Sequence, residues 1–492
     1  MSLIGIDVGS SAVKAAAYSD AGRLLAVERC DVTPQHPQPG WWEQDPEQVW
    51  QAAAHCMRSL GRAESLRQDP PRALAISASG REVFPVDGAG VPLGPCLMGA
   101  DIRGAEFEVA PGNVPVPEPW TLMCGHLRER MDPVFRVLWW RESHPEVVDR
   151  AKCFLGWHEF LTLRLCGQAV TDKSLAGRWL IYDLQAQGWS RERMREYQLD
   201  ANLLPGLGNW GTVIGAIRGE LADEWGIPRG VKVAVGAHDV SCAAIGAGVS
   251  DIGTACLISG SYENLLIPTT DLPTATMLLR GLSVTPHPGQ TGLLVYAISP
   301  TGNAVLNWAR SLLDVPIEDL EQELQQSGPV PSPVLAVPYL SGSMLYWEGG
   351  RRARGALIGL TLATSRIDIV KALMESIAYD HANTRSLLSS EGVPVTRVRA
   401  TGGGSRSAWW TQLKADIAGV PIEVVSEPET GTLGAALLAG LALGRFGSLA
   451  EMRMAAARPT MVFEPDLRRA GLHRAQIESY RNAITALLSA VF

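Results

Sequence analysis

The opening residues constrain the fold most, because they combine a short strand pattern, a tight turn and a carboxylate. An apolar run from Leu3 ends in Asp7, and a Gly-Ser-Ser turn and a second alternating run follow. This pattern predicts a β-hairpin with Asp7 at the mouth of its turn. Gly9 allows close backbone approach, and Ser10 and Ser11 offer hydroxyl and amide donors. Two interpretations stay open here: a hairpin whose Asp caps its own turn, or a site for a metal–phosphate pair.

Length and charge narrow the classes of protein. The chain has 492 residues, more than the roughly 250–300 at which a single core stops growing, so two domains are expected. A net charge of -8 argues against nonspecific binding to nucleic acid or to an anionic membrane. The oligomeric state stays open, with a homodimer as one option.

Cysteine spacing and apolar segments bear on location. The eight cysteines form no C-x-x-C pair, which disfavours zinc and redox motifs and favours reduced thiols. No basic stretch precedes the first apolar run, so no signal peptide is expected. The apolar stretch Leu433–Leu443 is too short to span a bilayer. These patterns predict a cytoplasmic protein with no membrane partner.

Apolar periodicity and turn residues predict an α/β chain, with Asp45 capping an early helix and an exposed loop at Pro111–Pro119. Predicted strands are Leu3–Asp7, Ala12–Ser19, Arg23–Cys30, Ala73–Ser77, Val231–Val235, a pair within Ala255–Ile267, and Val398–Ala400. Predicted helices are Pro46–Leu60, Val134–Trp140, Phe154–Leu165, Ala243–Gly248, an amphipathic Arg366–Leu388, Ser407–Ile417 and Leu433–Leu443. The strand, Gly-Ser and strand pattern recurs near residue 255, which suggests a duplicated unit with domains 1–248 and 249–492.

Three glycine-rich turns each follow a predicted strand. They are Gly9-Ser10-Ser11, Gly260-Ser261 and Gly402-Gly403-Gly404-Ser405. Backbone N–H groups in such turns bind anionic oxygens, so three of them suggest a divided nucleotide site. No G-x-x-x-x-G-K-[ST] or G-x-G-x-x-G motif is present, which disfavours Walker-type and dinucleotide sites. The alternative for the Gly402 turn is an ordinary entry into a helix.

Asp239 is the second carboxylate of interest, because it follows a strand and precedes a helix with small residues around it. At that place it could accept a proton from a substrate hydroxyl, or it could be a helix N-cap. The adjacent His238 could be the base instead, although a packed structural histidine is the commoner case.

Three clusters of polar and aromatic residues could contact a sugar. Trp41-Trp42-Glu43 lies on a predicted loop, Arg81-Glu82 follows a strand, and Asp101 stands two residues from Arg103. Each also has a structural interpretation, as a hydrophobic lid or a surface ion pair.

Together these motifs resemble the FGGY carbohydrate kinases, the group of xylulokinases, glycerol kinases and fuculokinases. The matching segments, in the family's order from Leu3 to about Gly444, are GIDVGSSAVKAAAYSDAG, GWWEQDPEQVW, GREVFPVDGAGVPLG, VGAHDVSCAAIGAG, PYLSGS with RARGALIGLTL, and ATGGGSRSAWWTQLKADIAGVPI. The resemblance implies an α/β fold of two actin-like (RNase H-like) ATPase domains flanking a deep cleft. The first domain would hold the sugar, and the second would hold the nucleotide.

The resemblance also implies roles for individual residues, with ATP and Mg²⁺ as cofactors. Asp239 would be the general base, and Asp7 would face Mg²⁺, through water, and the phosphates. Expected ATP contacts are Ser10, Ser11, Lys14, Gly260, Ser261, Asn307, Gly402, Gly403, Gly404 and Ser407.

The implied substrate site is Trp42, Arg81, Glu82, Asp239 and Asn264. Arg81-Glu82 is similar to the pair that holds hydroxyls in glycerol kinases. Those enzymes carry Trp where Gly99 stands and Phe where Asn264 stands, so this site is expected to be wider and more polar. Tyr262-Glu263 after Gly-Ser is similar to a fuculokinase motif. A sugar or sugar alcohol of about four to six carbons is expected from the added volume.

The expected activity is therefore transfer of the γ-phosphoryl group of ATP to a hydroxyl of a sugar or polyol. Two alternatives remain from other classes: a degenerate, sugar-binding regulatory protein, and an ATP-driven conformational protein on the same fold.

Overall fold

Strands and helices alternate through both halves of the chain. The computed structural model describes residues 1–107, 119–129, 131–288, 292–299, 301–314, 316–340, 342 and 353–490. The strands of the first half are β1 Ser2–Val8, β2 Ala12–Ser19, β3 Leu24–Asp31, β4 Glu43–Gln44, β5 Pro71–Ala78, β6 Phe84–Val86, β7 Cys96–Leu97, β8 Cys153–Leu155, β9 Val170–Asp172, β10 Tyr182–Asp183, β11 Gly188–Trp189, β12 Gly206–Gly208, β13 Val213–Ala216, β14 Lys232–Ala234 and β15 Ala237–His238. Its helices are α1 Pro46–Arg62, α2 Glu64–Gln68, α3 Pro119–Cys124, α4 Pro133–Ser143, α5 Pro145–Arg150, α6 Trp157–Cys166, α7 Lys173–Ala176, α8 Arg191–Glu196, α9 Gly219–Trp225 and α10 Asp239–Gly246.

The second half begins with a strand soon after α10. Its strands are β16 Gly253–Ser259, β17 Glu263–Thr269, β18 Leu282–Pro286, β19 Leu293–Ser299, β20 Leu335–Val337, β21 Ala356–Ile358, β22 Val395–Thr401, β23 Ile422–Val425 and β24 Pro459–Phe463. Its helices are α11 Ala275–Leu279, α12 Asn303–Leu313, α13 Ile317–Gln326, α14 Arg366–Ser390, α15 Ala408–Ala418, α16 Thr430–Ala442, α17 Leu449–Met454 and α18 Leu467–Ala490.

Each half is organised around a seven-stranded sheet with the same central arrangement. The first sheet contains the order β3-β2-β1-β5-β14, and the second contains β19-β17-β16-β22-β23. In both, the first three of these strands are antiparallel and the next two run parallel to the central strand. The predicted boundary after residue 248 falls between the two sheets.

A shared core joins the halves. Helix α16 of the second half packs on β1 and α10 of the first, and Leu433 and Leu437 lie in one buried cluster with Leu3, Val240 and Ile245. Burying such side chains contributes about 1.5–3 kcal/mol each.

Backbone-to-backbone contact makes this junction tight. A Cβ on Gly5 would lie 1.8 Å from the carbonyl oxygen of Thr432, and one on Gly434 would lie 1.8 Å from that of Cys242. Glycine is therefore required at both positions, because any side chain would collide with main chain. We call this contact of α16 with β1 and α10 the glycine seam.

Several sequence predictions are confirmed and two are wrong. Asp45 caps α1, since its carboxylate accepts the Glu47 N–H. The helix predicted at Phe154–Leu165 starts later, because Cys153–Leu155 pairs as a strand with β6. The helix at Arg366 is not amphipathic in its first half, because the ten residues from Val370 to Tyr379 are all buried. Most of the loop predicted at Pro111–Pro119 lies outside the described residues.

Candidate active site

Strand register brings the two singled-out carboxylates to one edge of the first sheet. Asp7 at the end of β1 is opposite Ser77 on β5, and Ser77 is opposite Ala237 on β15. Asp239 follows two residues after Ala237. The Ser77 hydroxyl donates a 2.5 Å hydrogen bond to Asp7 Oδ1. Burial raises the pKa of Asp7, and the Ser77 hydrogen bond opposes that rise.

Asp239 is the first residue of α10 and is not its N-cap, a position that His238 occupies. Asp239 Oδ1 accepts the Val240 N–H at 2.6 Å and lies 3.1 Å from His238 Nε2. Its side chain is 39% exposed, and the remainder is covered by protein. Burial, and then the charge of Asp7, raise the pKa of Asp239 to about 7. A carboxylate with such a pKa can exchange a proton near neutral pH.

His238 is placed to orient Asp239. Its side chain is buried, and burial together with the charges of Arg178 and Arg81 lowers its pKa well below the usual value. Its Nε2 is the ring nitrogen that faces Asp239, and its Nδ1 has no hydrogen-bond partner. The lowered pKa makes His238 a weaker proton acceptor than a solvent-exposed histidine.

Arg81 and Glu82 lie buried beside this carboxylate edge. Arg81 Nη2 donates to Glu129 at 2.6 Å, and its Nη1 donates to the carbonyl oxygen of Arg178 at 3.1 Å. Glu82 Oε2 accepts the Arg81 N–H, and the charge of Glu82 helps to raise the pKa of Asp239. Both side chains therefore belong to the surroundings of Asp239.

Arg178 was not predicted from the sequence, and it completes the cluster. Its side chain is 4% exposed, and its Nε and Nη1 have no hydrogen-bond partner. His126 Nε2 is likewise buried without a partner. Unsatisfied buried donors are costly, and they mark places where a polar ligand or water completes the structure. The one signal in the sequence was a lone arginine inside the apolar run Leu175–Leu184.

Tyr296 from the second sheet also reaches this cluster. Its ring lies 5.2 Å from the Arg178 guanidinium carbon and 6.2 Å from the His238 ring. Its hydroxyl donates to Asn264 Oδ1 at 3.3 Å. We call Arg81, Glu82, Arg178, Asp239 and Tyr296 the acceptor cluster.

Gly99 and Asn264 lie next to the acceptor cluster, and both are smaller than an aromatic residue would be at these positions. A Cβ on Gly99 would lie 3.6 Å from both Arg81 Cβ and Glu82 Oε1. The buried Arg136 holds this loop, since its guanidinium donates to the carbonyl oxygens of Arg81 and Met98 at 2.7 and 2.8 Å. The small residue at 99 therefore leaves space directly against the Arg81–Glu82 pair.

Trp42 lies on a loop organised by buried ionic contacts. Its N–H donates to Asp101 at 2.6 Å, and its side chain is 39% exposed. Asp101 also binds Arg103, whose guanidinium carbon lies 4.0 Å from the Trp41 ring centre. Asp101 and Arg103 therefore have a structural role here, while the Trp42 ring remains accessible.

The two glycine turns of the second half meet at one edge of its sheet. Ile258 on β16 is paired with Thr401 on β22, so the turns after these strands are neighbours. Gly402 has φ +90°, and a Cβ there would lie 2.6 Å from the carbonyl oxygen of Ser259. The Asn303 N–H, at the start of α12, donates to the Gly260 carbonyl at 3.0 Å. We call Gly260–Ser261 and Gly402–Gly404 the nucleotide turns.

A buried ionic network supports the nucleotide turns from behind. Glu263 is 1% exposed and accepts hydrogen bonds from Lys414 at 2.9 Å and Ser259 at 2.5 Å. His381 Nε2 lies 3.2 Å from the same carboxylate. Glu263 thus holds Ser259, the residue before Gly260, in place.

The other predicted ATP contacts have different surroundings. Ser10 and Ser11 are exposed on the turn between β1 and β2. Lys14 Nζ pairs with Glu429 at 2.6 Å, which links the two halves. Ser407 caps α15 and donates to Glu321 at 2.6 Å. Asn307 is exposed on α12, and Arg310 donates to its side-chain oxygen.

Two features are absent from the described residues: a cluster of metal-ligating side chains and a membrane-spanning helix. These residues contain no group of three or more His, Cys, Asp or Glu side chains arranged to hold a metal ion. Within the same part of the chain, no helix is long and apolar enough to cross a membrane.

Comparison with known proteins gave matches along the whole chain. The model described as the FGGY family of carbohydrate kinases, N-terminal domain, matches residues 2–246, and the corresponding C-terminal domain matches residues 274–443. Xylulose kinase of Escherichia coli is 28% identical, over 99% of both chains. L-fuculokinase of Salmonella typhi is 26% identical, over 92% of this chain and 94% of the relative.

Solved structures agree with the same assignment. Gluconate kinase from Lactobacillus acidophilus superposes with a TM-score of 0.90 at 25% identity, covering 99% of this chain and 98% of that one. A ligand-bound xylulose kinase from the same organism gives 0.89 at 25% identity, with 99% of each chain covered. The predicted fold of two actin-like ATPase domains is confirmed.

Proposed function

Because the chain belongs to the FGGY family of carbohydrate kinases, we propose that it transfers the γ-phosphoryl group of ATP to a hydroxyl of a sugar or sugar alcohol, with Asp239 as the general base. The observation that carries the proposal is the environment of Asp239. Its pKa is raised to about 7, in part by the nearby charges of Asp7 and Glu82, and it belongs to the acceptor cluster.

Asp239 takes the proton of the acceptor hydroxyl as the bond from its oxygen to the γ-phosphorus forms and the bond from the γ-phosphorus to ADP breaks. A base works best when its pKa lies near the working pH, because it is then both available and sufficiently basic. His238 keeps the carboxylate in one orientation through the contact of Nε2 with Oδ1. Such positioning contributes to the rate without the histidine touching the substrate.

The acceptor cluster supplies the groups that bind hydroxyls. Glu82 accepts hydrogen bonds, while Arg178 has two buried guanidinium nitrogens, Nε and Nη1, without a partner. Substrate oxygens would satisfy these donors, so a molecule with several hydroxyl or carbonyl oxygens fits best. With Gly99 and Asn264 leaving space, an acceptor of about four to six carbons is favoured over a three-carbon polyol. Trp42 offers an accessible ring for the face of the sugar.

The nucleotide turns of the second half and the Gly9–Ser11 turn of the first half would hold ATP between them. Phosphoryl transfer depends mainly on positioning and charge neutralisation. Backbone N–H groups of Ser261 and Gly402–Gly404, with Ser10 and Ser11, would bind phosphate oxygens. Gly260 would shape its turn, because its own N–H donates to the Tyr262 carbonyl oxygen at 3.0 Å. Lys14 would exchange Glu429 for phosphate when nucleotide is present. Asn307 and Ser407 would lie on the adenosine side.

The carboxylate edge suits Mg²⁺, and Asp7 would face the ion through water. Burial raises the pKa of Asp7, and the charge of Asp7 raises that of Asp239, a repulsion that a nearby cation would relieve. Mg²⁺ in kinases is usually bound by one or two carboxylates together with phosphates and water, so a cluster of three protein ligands is not needed. When bound, Mg²⁺ neutralises charge on the phosphates.

The experiment is an assay of ADP release with ATP, Mg²⁺ and a panel of pentuloses, hexoses, tetritols and pentitols. We expect one or a few related acceptors to raise ADP release far above the rate without acceptor. Glycerol is the internal comparison for size, and it should be a poor substrate. ADP release that no acceptor raises, or glycerol as the best acceptor, would contradict the proposal in its activity or in its substrate class.

A further inference from the structure

An arginine-rich cavity lies just beyond the C-terminal end of α10, the helix that begins at Asp239. It is outside the proposed active site. It has a volume of about 340 Å³, within the range of ~300–1,000 Å³ typical of small-molecule sites. Its lining includes Arg397, Arg399, Arg453 and Arg458, with Asp251. We call it the arginine cavity.

The cavity has an excess of positive charge. Arg397 and Arg399 share one carboxylate, Glu423, at 3.2 and 3.0 Å. Arg453 pairs with Asp251, and Arg458 is exposed. The four arginines have two carboxylate partners among them, Glu423 and Asp251, which leaves a charge near +2 that an anion of similar charge would balance.

Arg399 is held in place independently of any ligand. Its Nη1 donates to the carbonyl oxygens of Ala247 and Gly248 at 3.0 and 3.1 Å, just beyond the end of α10. Gly248 has φ +73°, and a Cβ there would lie 2.3 Å from Arg399 Nη1. The Arg399 guanidinium therefore packs directly against the backbone of Gly248. Its position is fixed by main-chain carbonyl groups and does not depend on other side chains at the surface.

We propose that the arginine cavity binds a phosphate monoester or inorganic phosphate. A phosphate group carries about -1.5 to -2 charges at neutral pH, which matches the excess. Guanidinium groups bind phosphate oxygens through paired N–H donors, and Arg is favoured over Lys for this geometry. The cavity is lined by Gly248, two residues beyond the end of α10, so a bound anion would lie next to the helix whose first residue is the proposed base Asp239.

The test is isothermal titration of the whole protein with inorganic phosphate and with glucose 6-phosphate at fixed ionic strength. Glucose is the probe without phosphate. A saturating non-hydrolysable ATP analogue with Mg²⁺ fills the phosphate-binding turns of the active site. The variant Arg397→Ala/Arg458→Ala removes two exposed arginines of the cavity, and Arg191→Ala/Arg474→Ala removes two exposed arginines elsewhere.

We expect both phosphate probes to bind the wild type and the control variant. Any binding of glucose belongs to the acceptor cluster and should be the same in the wild type and in both variants. The cavity variant should bind phosphate at least tenfold more weakly. Three results would overturn the site: no phosphate binding to the wild type, unchanged affinity in the cavity variant, or an equal loss in the control variant. The readout is binding alone, so it stands apart from the choice of sugar.

Discussion

At the scale of single residues, Asp239 differs from a surface carboxylate in two measurable ways. Its pKa is raised to about 7 by burial and by Asp7, and its position is fixed by His238 and by the start of α10. The first property governs when it can accept a proton, and the second governs where. Both properties lead to predictions.

Replacing Asp239 by Asn removes the base and keeps the shape. General-base assistance contributes about 10²–10⁴ in rate, so kcat should fall by that factor while ATP binding stays nearly unchanged. Asp271→Asn, an exposed carboxylate on a turn, is the matched control and should keep full activity. Steady-state kinetics and nucleotide titration measure both. Full activity of Asp239→Asn would remove Asp239 from the mechanism.

The pH profile follows from the same pKa. Because the base must be deprotonated, kcat/KM should rise with pH with a midpoint near 7 in the free enzyme, the pKa given by burial and Asp7. Measurement from pH 5 to 9 on the best acceptor gives the midpoint. A profile that is flat across pH 6–8 would contradict a base with this pKa.

The contribution of Asp239 to the free energy of unfolding should fall as pH rises, whereas kcat/KM should increase. The folded pKa of Asp239 lies above the unfolded value of 3.8, so the folded state holds the proton more tightly and loses that advantage as pH rises from about 4 to 7. Asp239→Asn escapes this loss. Its melting temperature relative to wild type should therefore increase between pH 5 and pH 8. A relative decrease over that range would contradict a raised pKa.

At the scale of elements, the turns at strand ends depend on glycine for geometric reasons. Gly402 has φ +90°, and a Cβ added to it would lie 2.6 Å from the Ser259 carbonyl oxygen. Gly419, which ends α15, has φ +64° and open space around it. The pair separates the cost of an unusual φ from the cost of a collision.

Gly402→Ala should therefore raise the KM for ATP by at least tenfold, because the strand end must move and the nucleotide turns shift. Gly419→Ala carries the strain of positive φ alone and should leave that KM within about twofold, at a small cost in stability. Kinetics with ATP as the varied substrate compares the two. Equal KM values would argue against a role for the Gly402 turn in binding ATP.

Local patterns predicted elements where local forces decide. The strand Ala12–Ser19 and the cap at Asp45 are confirmed with their boundaries, because side-chain alternation and capping act over a few residues. The strand at Cys153–Leu155 was missed because its partner, β6, is far away in sequence. Arg178 was missed for the same reason, since only folding brings it next to Arg81 and Tyr296. The pairing of Lys14 with Glu429 also joins distant segments.

At the scale of the whole molecule, the glycine seam links the halves through main chain. Gly434→Ala in α16 would normally stabilise a helix by up to about 1 kcal/mol. Here the added Cβ would lie 1.8 Å from the Cys242 carbonyl oxygen, so the protein should be destabilised. Gly471→Ala in α18, which has open space around it, should instead be neutral or stabilising. Thermal unfolding compares them, and the same sign for both would contradict a tight seam.

The seam also has a mechanical consequence. Surfaces in main-chain contact cannot slide past one another without collision, whereas they can still turn about the line along which they touch. Relative motion of the halves should therefore be a rotation with its pivot at α16. The start of α16 would stay beside Asp7 throughout, while parts of the second half farther from the pivot travel through wider arcs. A ligand held between the halves would thus be enclosed by rotation of the second half. Its contacts near Asp7 would change least, and its contacts farther from the pivot would change most.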